Sequence, residues 1–191
     1  TRPNIAYQVM LKLSERLRSS DESTINDLRK KNTELAKAYQ DLREAQSELI
    51  EKEKLDHELN MARDIQMSIL PQSIVTLKGC DIGAKMVPAR IVGGDFYDII
   101  PLDDAKVGIA IGDVSDKGVP AAMFMAQFCT LLSVEALNGN PPEAVLSKIN
   151  NHLLKKNDAG LFVTCIYGVY DNLKHSFQYA RAGHEIPIVI D

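Results

Sequence analysis

The stretch from residue 4 to residue 70 contains neither glycine nor proline, and charges of both signs run through it. Pro3 stands before this stretch and Pro71 directly follows it. Glycine and proline are the residues that most often end helices, so their absence over this length predicts one long helix. After Pro71 glycines and β-branched runs return, and we expect a globular region to begin there.

Within the predicted helix, two columns of residues repeat every seven positions. The first column consists of the leucines Leu28, Leu35, Leu42 and Leu49. The second column falls three residues before each leucine and consists of Ile25, Asn32, Tyr39 and Gln46. This is the a/d pattern of a parallel dimeric coiled coil. Glu53 and Asp56 occupy the next two seam positions and break the phase. Residues 21–70 are therefore predicted to be a dimeric linker, either a plain stalk or a signal-transmitting element with a hinge at residues 50–56.

Composition excludes several classes of protein. The net charge of −4 gives no support for nucleic-acid binding, which usually requires a basic face. The three cysteines are scattered, which argues against a disulfide framework or a zinc site and suits a reducing cytoplasm. No apolar run approaches the roughly 20 residues of a membrane span. We expect a cytoplasmic protein with no membrane segment within this chain.

Two aspartates stand symmetrically about a predicted hairpin. Strand-like runs flank the turn at residues 102–105, and Asp95 and Asp113 lie nine residues on either side of Asp104. A hairpin centred on Asp104 places the two carboxylates opposite each other on one sheet face. Like charges in that arrangement are destabilising, and a hard divalent cation such as Mg²⁺ or Mn²⁺ removes the conflict. The alternative from spacing alone is that both aspartates simply end strands.

The remaining elements predict an α+β sandwich. A strand is expected at residues 80–89, a helix from Ser115, Asp116 or Gly118 to about Leu137, and a second helix over Pro142–Lys156. Residues 161–171 and 175–183 are expected to pair as antiparallel strands, and residues 186–191 to begin another. His184 is the only histidine in a glycine-defined loop near strand ends, and we interpret it as a loop histidine bonded to the backbone.

Several motifs in order resemble one family. They are "ARDIQMSILPQ", "PARIVGGDFYD", "IGDVSDKGVPAAMFMA", "INNHLL", "FVTCIYGVYD" and "ARAGHEIP". Together they resemble the SpoIIE/RsbU-type serine phosphatases of the metal-dependent type 2C (PPM) family, over residues 60–191. The resemblance implies an αββα sandwich, present here as a partial phosphatase domain at residues 71–191. Residues 1–20 resemble the closing helix of an upstream sensor domain.

The resemblance also implies a mechanism. Two Mn²⁺ or Mg²⁺ ions would be held by Asp95, Asp113 and the backbone carbonyl of Val114, and the water that they activate would attack a phosphoserine. The implied substrate is a phosphorylated anti-sigma-factor antagonist or a similar STAS-type protein. The implied regulation runs from the sensor through the dimeric coiled coil.

The chain departs from the family pattern in two places. Asp116 stands where the family usually has glycine, and the chain ends at Asp191, before the family's later acidic ligands. This 191-residue chain is therefore expected to bind metal weakly and to be nearly inactive. The rival hypotheses are a non-catalytic dimeric signalling scaffold and a nucleotide cyclase; the motif "GDVSDKG" has no counterpart in cyclases.

Overall fold

A computed structural model describes residues 3–74, 77–155 and 157–190. The chain divides into two compact units, Thr1–Leu55 and Asp56–Asp191. The helices and strands are α1 (Pro3–Ile69), β1 (Phe96–Pro101), β2 (Lys106–Val114), α2 (Val119–Ala136), α3 (Pro142–Leu154), β3 (Val163–Asp171) and β4 (Ser176–Ala182). The predicted helix and strand ends at Thr1, Lys156 and Asp191 lie outside the described residues.

The long helix predicted from the absence of glycine and proline is confirmed. It is one continuous α-helix, and every described side chain of the first unit is exposed. The leucine column is included, since Leu28, Leu35, Leu42 and Leu49 are 54–60% exposed. A solvent-facing stripe of leucines at heptad spacing is the surface with which a second helix packs in a coiled coil.

The second unit contains one antiparallel sheet with the strand order β1-β2-β3-β4. In the first hairpin Phe96 pairs with Gly112 and Pro101 pairs with Val107, so the turn is centred on Asp104 as predicted. Asp103 stabilises this turn by accepting a hydrogen bond from the Ala105 amide at 2.8 Å. The predicted pairing of β3 with β4 is also confirmed.

The core lies between one face of this sheet and the two helices. Alternate strand residues such as Phe96, Ala110 and Val114 are buried against α2 and α3. Helix α2 is long and apolar enough to span a membrane by length and composition alone. It contributes seven buried side chains to the domain, namely Ala121, Phe124, Met125, Phe128, Cys129, Leu132 and Ala136. This sheet and its helical layer form one half of an αββα sandwich.

Two strand predictions were wrong. Residues 81–88 are irregular, and only Cys80 forms an isolated bridge, with Leu77. The apolar side chains of this segment pack with Ile99 and Val107 on the outer face of the sheet, so contact with a preformed sheet replaces strand pairing. Residues 186–190 are also unpaired in the structure, and their isoleucines and valine are exposed. A β-branched composition favours a strand only where a partner strand is available.

The exposed leucine stripe generates a test of dimerisation. We expect Leu35→Glu to weaken self-association on the order of 100-fold or more, because each dimer would lose two buried leucines. Lys37→Gln lies on the outer side of the same heptad and lowers the charge by the same one unit, so it serves as the control. Sedimentation equilibrium would measure both, and equal association of the two variants would contradict the predicted seam.

Candidate metal centre

Asp95 and Asp113 come together at the open end of the first hairpin. Asp113 belongs to β2, and continuing the pairing of Phe96 with Gly112 by one step places Asp95 opposite it. The pKa of Asp113 is raised, first by desolvation, then by the charge of Asp95 and by a side-chain hydrogen bond with it. The charge of nearby His184 acts in the opposite direction. The carboxylates are thus close enough to repel each other, as the hairpin predicted.

Gly94, the second glycine before Asp95, allows two backbone segments to touch. A Cβ atom at Gly94 would lie 2.8 Å from the carbonyl oxygen of Val114, a separation that requires glycine. The Val114 amide in turn donates to the Gly94 carbonyl oxygen at 3.3 Å. The Val114 carbonyl predicted to accompany Asp113 therefore lies against the loop that carries Asp95.

A cleft of about 230 Å³ opens above these residues. Asp95 and Asp113 line it together with two cationic side chains, Arg90 and Lys117. Neither cation has an ion-pair partner among the described residues. Asp116 also lines the cleft and has φ 74, in the left-handed region that favours glycine. That backbone conformation explains why glycine suits this position in the family pattern.

Gln66 was not predicted from the sequence, yet it contacts the loop of the candidate site directly. It lies near the end of α1 and is buried, with 6% exposure. Its side-chain Nε2 donates to the Gly93 carbonyl oxygen, and its Oε1 accepts from the Gly93 amide at 3.2 Å. Nε2 also lies 3.8 Å from the Met125 sulfur in α2. A glutamine on a heptad-rich helix resembles any solvent-facing residue, so the sequence carries no signal for this role.

The nearby Asp98 does not belong to the site. The alternation along β1 turns it toward α2, where it accepts from the Ile99 amide at 2.8 Å and from the Ser133 hydroxyl at 3.4 Å. Burial raises the pKa of this carboxyl group. Two aspartates three residues apart in sequence therefore lie on opposite faces of the sheet.

His184 departs from its sequence interpretation as a backbone-bonded loop residue. Its ring Nδ1 lies 2.9 Å from the hydroxyl of Thr164, and Thr164 pairs with Asp113 across β2 and β3. The histidine therefore lies near the candidate site rather than in an independent loop.

Comparisons with known proteins show which family this chain resembles. Residues 103–191 match the family model described as "Stage II sporulation protein E (SpoIIE)". The chain is 35% identical over 133 residues to "Phosphoserine phosphatase RsbU" of Bacillus subtilis, which covers 70% of this chain and 39% of that protein. The chain belongs to the SpoIIE/RsbU-type family of PP2C domains.

Two further proteins are similar to this chain. "Protein IcfG" of Synechocystis sp. is 37% identical over 160 residues, covering 70% of this chain and 25% of that protein. The solved "SiaA-PP2C domain of Pseudomonas aeruginosa" shares the fold with a TM-score of 0.56 at 22% identity, covering 69% of this chain and 55% of that structure. This chain therefore spans well under half the length of the two curated relatives.

The candidate site has a donor set that suits a hard cation but is small. Two carboxylates and one backbone carbonyl are oxygen ligands of the kind that Mg²⁺ and Mn²⁺ favour. Among the described residues, no group of three or more His, Cys, Asp or Glu side chains is placed to hold a metal. The residues fit a divalent cation whose remaining positions are filled by water or by other ligands.

The repulsion between Asp95 and Asp113 predicts an unusual stability change. Without divalent cations, Asp113→Asn should stabilise the domain by about 0.2–1 kcal/mol at pH 7, because it removes a like-charge cross-strand pair. The pKa of Asp113 is raised on folding, so the contribution of this group to wild-type stability falls as pH rises through the carboxyl range. The advantage of the variant should therefore vanish below about pH 4.

Urea unfolding at pH 3 and pH 7 would measure this difference. Asp104→Asn, in the exposed hairpin turn, is the matched control and should show no such gain. Loss of stability in Asp113→Asn at pH 7 would contradict the predicted repulsion. Added Mn²⁺ should stabilise the wild type more than the variant, because only the wild type keeps both carboxylates.

The buried amide of Gln66 predicts a second effect. Gln66→Leu should destabilise the domain by about 1–3 kcal/mol, because the Gly93 amide and carbonyl lose their partners in a partly buried place. Gln127→Leu, at an exposed position of α2, is the control. Equal unfolding midpoints for the two variants would show that the Gln66 contacts do not stabilise the domain.

Proposed function

We propose that this domain is a signal-regulated protein serine phosphatase. The observation that carries the proposal is the pair Asp95 and Asp113, set opposite each other beside the Val114 carbonyl in a chain of the SpoIIE/RsbU type. Two relatives that are 30–35% identical bear the names of phosphoserine phosphatases, which supports this reaction class. The proposed substrate is a phosphorylated anti-sigma-factor antagonist or a similar STAS-type protein.

In this proposal Asp95, Asp113 and the Val114 carbonyl hold two Mn²⁺ or Mg²⁺ ions, together with the further acidic ligands that the family resemblance implies. Bound cations would supply Lewis acidity, lowering the pKa of a water and neutralising phosphoryl charge. The basic side chains that line the cleft have a separate role. Arg90 and Lys117 line the same cleft, and unpaired guanidinium and ammonium groups bind and orient a phosphate dianion.

We assign the regulation to α1. Gln66 near its end holds Gly93 by two hydrogen bonds, so a shift of the last turns of this helix would move the loop that carries Asp95. Dimerisation through the heptad seam and the phase break at Glu53 and Asp56 would transmit the signal of an upstream sensor. The proposed working form is a cytoplasmic homodimer.

The second candidate function is a non-catalytic dimeric scaffold whose phosphatase-like half binds a partner. The small donor set among the described residues favours it for this chain. Mn²⁺ binding distinguishes the two functions. Isothermal titration of the full-length protein should show saturable binding for the phosphatase and none for the scaffold.

The proposed site is tested by Asp95→Asn in the full-length protein. Mn²⁺-dependent phosphate release from a phosphoserine STAS-type protein should fall by at least about 100-fold, because a carboxylate ligand is lost. Sedimentation should show an unchanged dimer, and Asp104→Asn should retain full activity. Normal phosphate release by Asp95→Asn would exclude the proposed site.

The 191-residue chain alone provides a further test. Assayed under the same conditions, it should show little or no turnover, because among its described residues no group of three or more His, Cys, Asp or Glu side chains is placed to hold a metal. Robust Mn²⁺-dependent turnover by this chain would contradict that expectation.

A further inference from the structure

A chain of hydrogen bonds links His184 to the backbone of Asp113. The ring Nδ1 of His184 lies 2.9 Å from the Thr164 hydroxyl oxygen, and that hydroxyl donates to the Asp113 carbonyl oxygen at 3.4 Å. Thr164 is also the register partner of Asp113 in β3. The imidazole is therefore two hydrogen bonds away from the backbone of a proposed cation ligand, although it lies 71 residues further along the chain.

The backbone after β4 holds the histidine in this place. Gly183 has φ 68 and forms an isolated parallel bridge with Cys165, which brings the loop beside β3. The Arg181 guanidinium donates to the His184 carbonyl oxygen at 3.1 Å. The loop is thus held at two points on either side of the Thr164 contact, and the orientation of the ring follows from backbone geometry.

The hydrogen bonds select one tautomer of the neutral ring. A threonine hydroxyl has a single hydrogen, and here it is donated to the Asp113 carbonyl. In this arrangement the hydroxyl oxygen accepts from the ring, which corresponds to the neutral tautomer protonated on Nδ1 with the Nε2 lone pair free. Replacing the hydroxyl by a methyl group would remove both bonds with little change in shape.

The end of β2 has further bonds to the same neighbour. The Ser115 amide donates to the Phe162 carbonyl oxygen at 2.8 Å, and the Phe162 amide donates to the Ser115 hydroxyl at 2.9 Å. The hydrogen-bond chain through Thr164 lies two residue pairs further into the sheet. Together these contacts determine where the Asp113 carboxylate and the Val114 carbonyl are placed.

We propose that His184, acting through Thr164, is a positioning residue that fixes Asp113 and Val114 at the end of β2 for binding a divalent cation. The cation in this inference rests on the proposed function, whereas the hydrogen-bond chain is part of the structure. Partners that orient metal ligands in this way typically contribute about 10–100-fold to metal affinity. The outer hydroxyl and imidazole would therefore matter for binding without touching the cation.

The test measures Mn²⁺ affinity of the full 191-residue chain by paramagnetic broadening of the Gly94 and Ser115 amide signals. Thr164→Val and His184→Ala should each weaken binding about 10-fold or more. Thr164→Ser keeps the hydroxyl and should bind within about 2-fold of wild type. The double variant should bind no more weakly than either single variant, since both break the same chain.

Measurements made without a divalent cation test this inference independently of the proposed function. Ring ¹⁵N shifts should show the Nδ1-protonated tautomer of His184 in wild type and Thr164→Ser but not in Thr164→Val. Hydrogen exchange at the Ser115 amide should be about 10-fold faster in Thr164→Val, because the end of β2 opens more often. His152→Ala, at an exposed position of α3, should leave Mn²⁺ affinity and exchange unchanged.

The outcomes are distinguishable. If wild type binds Mn²⁺ and Thr164→Val binds it equally well, the role of His184 is overturned and the proposed function stands. If the 191-residue wild type binds no Mn²⁺ but tautomer and exchange respond as expected, the positioning of β2 by His184 is supported, and the proposed function is decided by the Mn²⁺ titration of the full-length protein. An unchanged tautomer and unchanged exchange in Thr164→Val would overturn the inference on their own.

Discussion

The packing of Phe96 over Gly112 is the contact on which the candidate site depends. A Cβ atom at Gly112 would collide with the Phe96 ring and approach the Thr164 carbonyl oxygen to 2.6 Å. The ring instead fills this space and meets Phe128 of α2 with centroids 5.1 Å apart. A shift of the strands by one residue would put this ring on the wrong face. The register that buries Phe96 therefore also sets Asp95 against Asp113.

The two faces of the sheet have different roles: one packs against the helices, and the other carries the opposed carboxylates. Residues such as Phe96 and Val114 are buried against the helices, and each large apolar side chain contributes roughly 1.5–3 kcal/mol. The opposed carboxylates on the other face cost only about 0.2–1 kcal/mol. The core contribution is larger, so the hairpin holds two like charges together at its open end. Asp98, turned to the core face, is bonded to Ser133 and takes no part in the cleft.

Two distant segments of the chain converge on the ends of these strands. Gln66, near the end of α1, bonds both polar groups of Gly93, while His184, beyond β4, reaches the carbonyl of Asp113 through Thr164. One contact holds the loop before β1, and the other holds the end of β2. Both proposed carboxylate ligands, Asp95 and Asp113, thus depend on residues that belong to neither strand.

The sequence by itself determined the long helix, the hairpin centred on Asp104 and the opposition of Asp95 and Asp113, because helix breakers, turn residues and strand alternation act over short distances along the chain. The tertiary structure decided the rest. Residues 80–89 and 186–190 have a strand-like composition but lack a partner strand in the described structure, and pairing is a property of the neighbour as much as of the segment. Gln66 and Thr164 carry no local signal, because their roles come from chain segments that meet only when the sheet and helices pack. The sequence alone determined which residues bear the charge, and only folding decided which residues hold those charges in place.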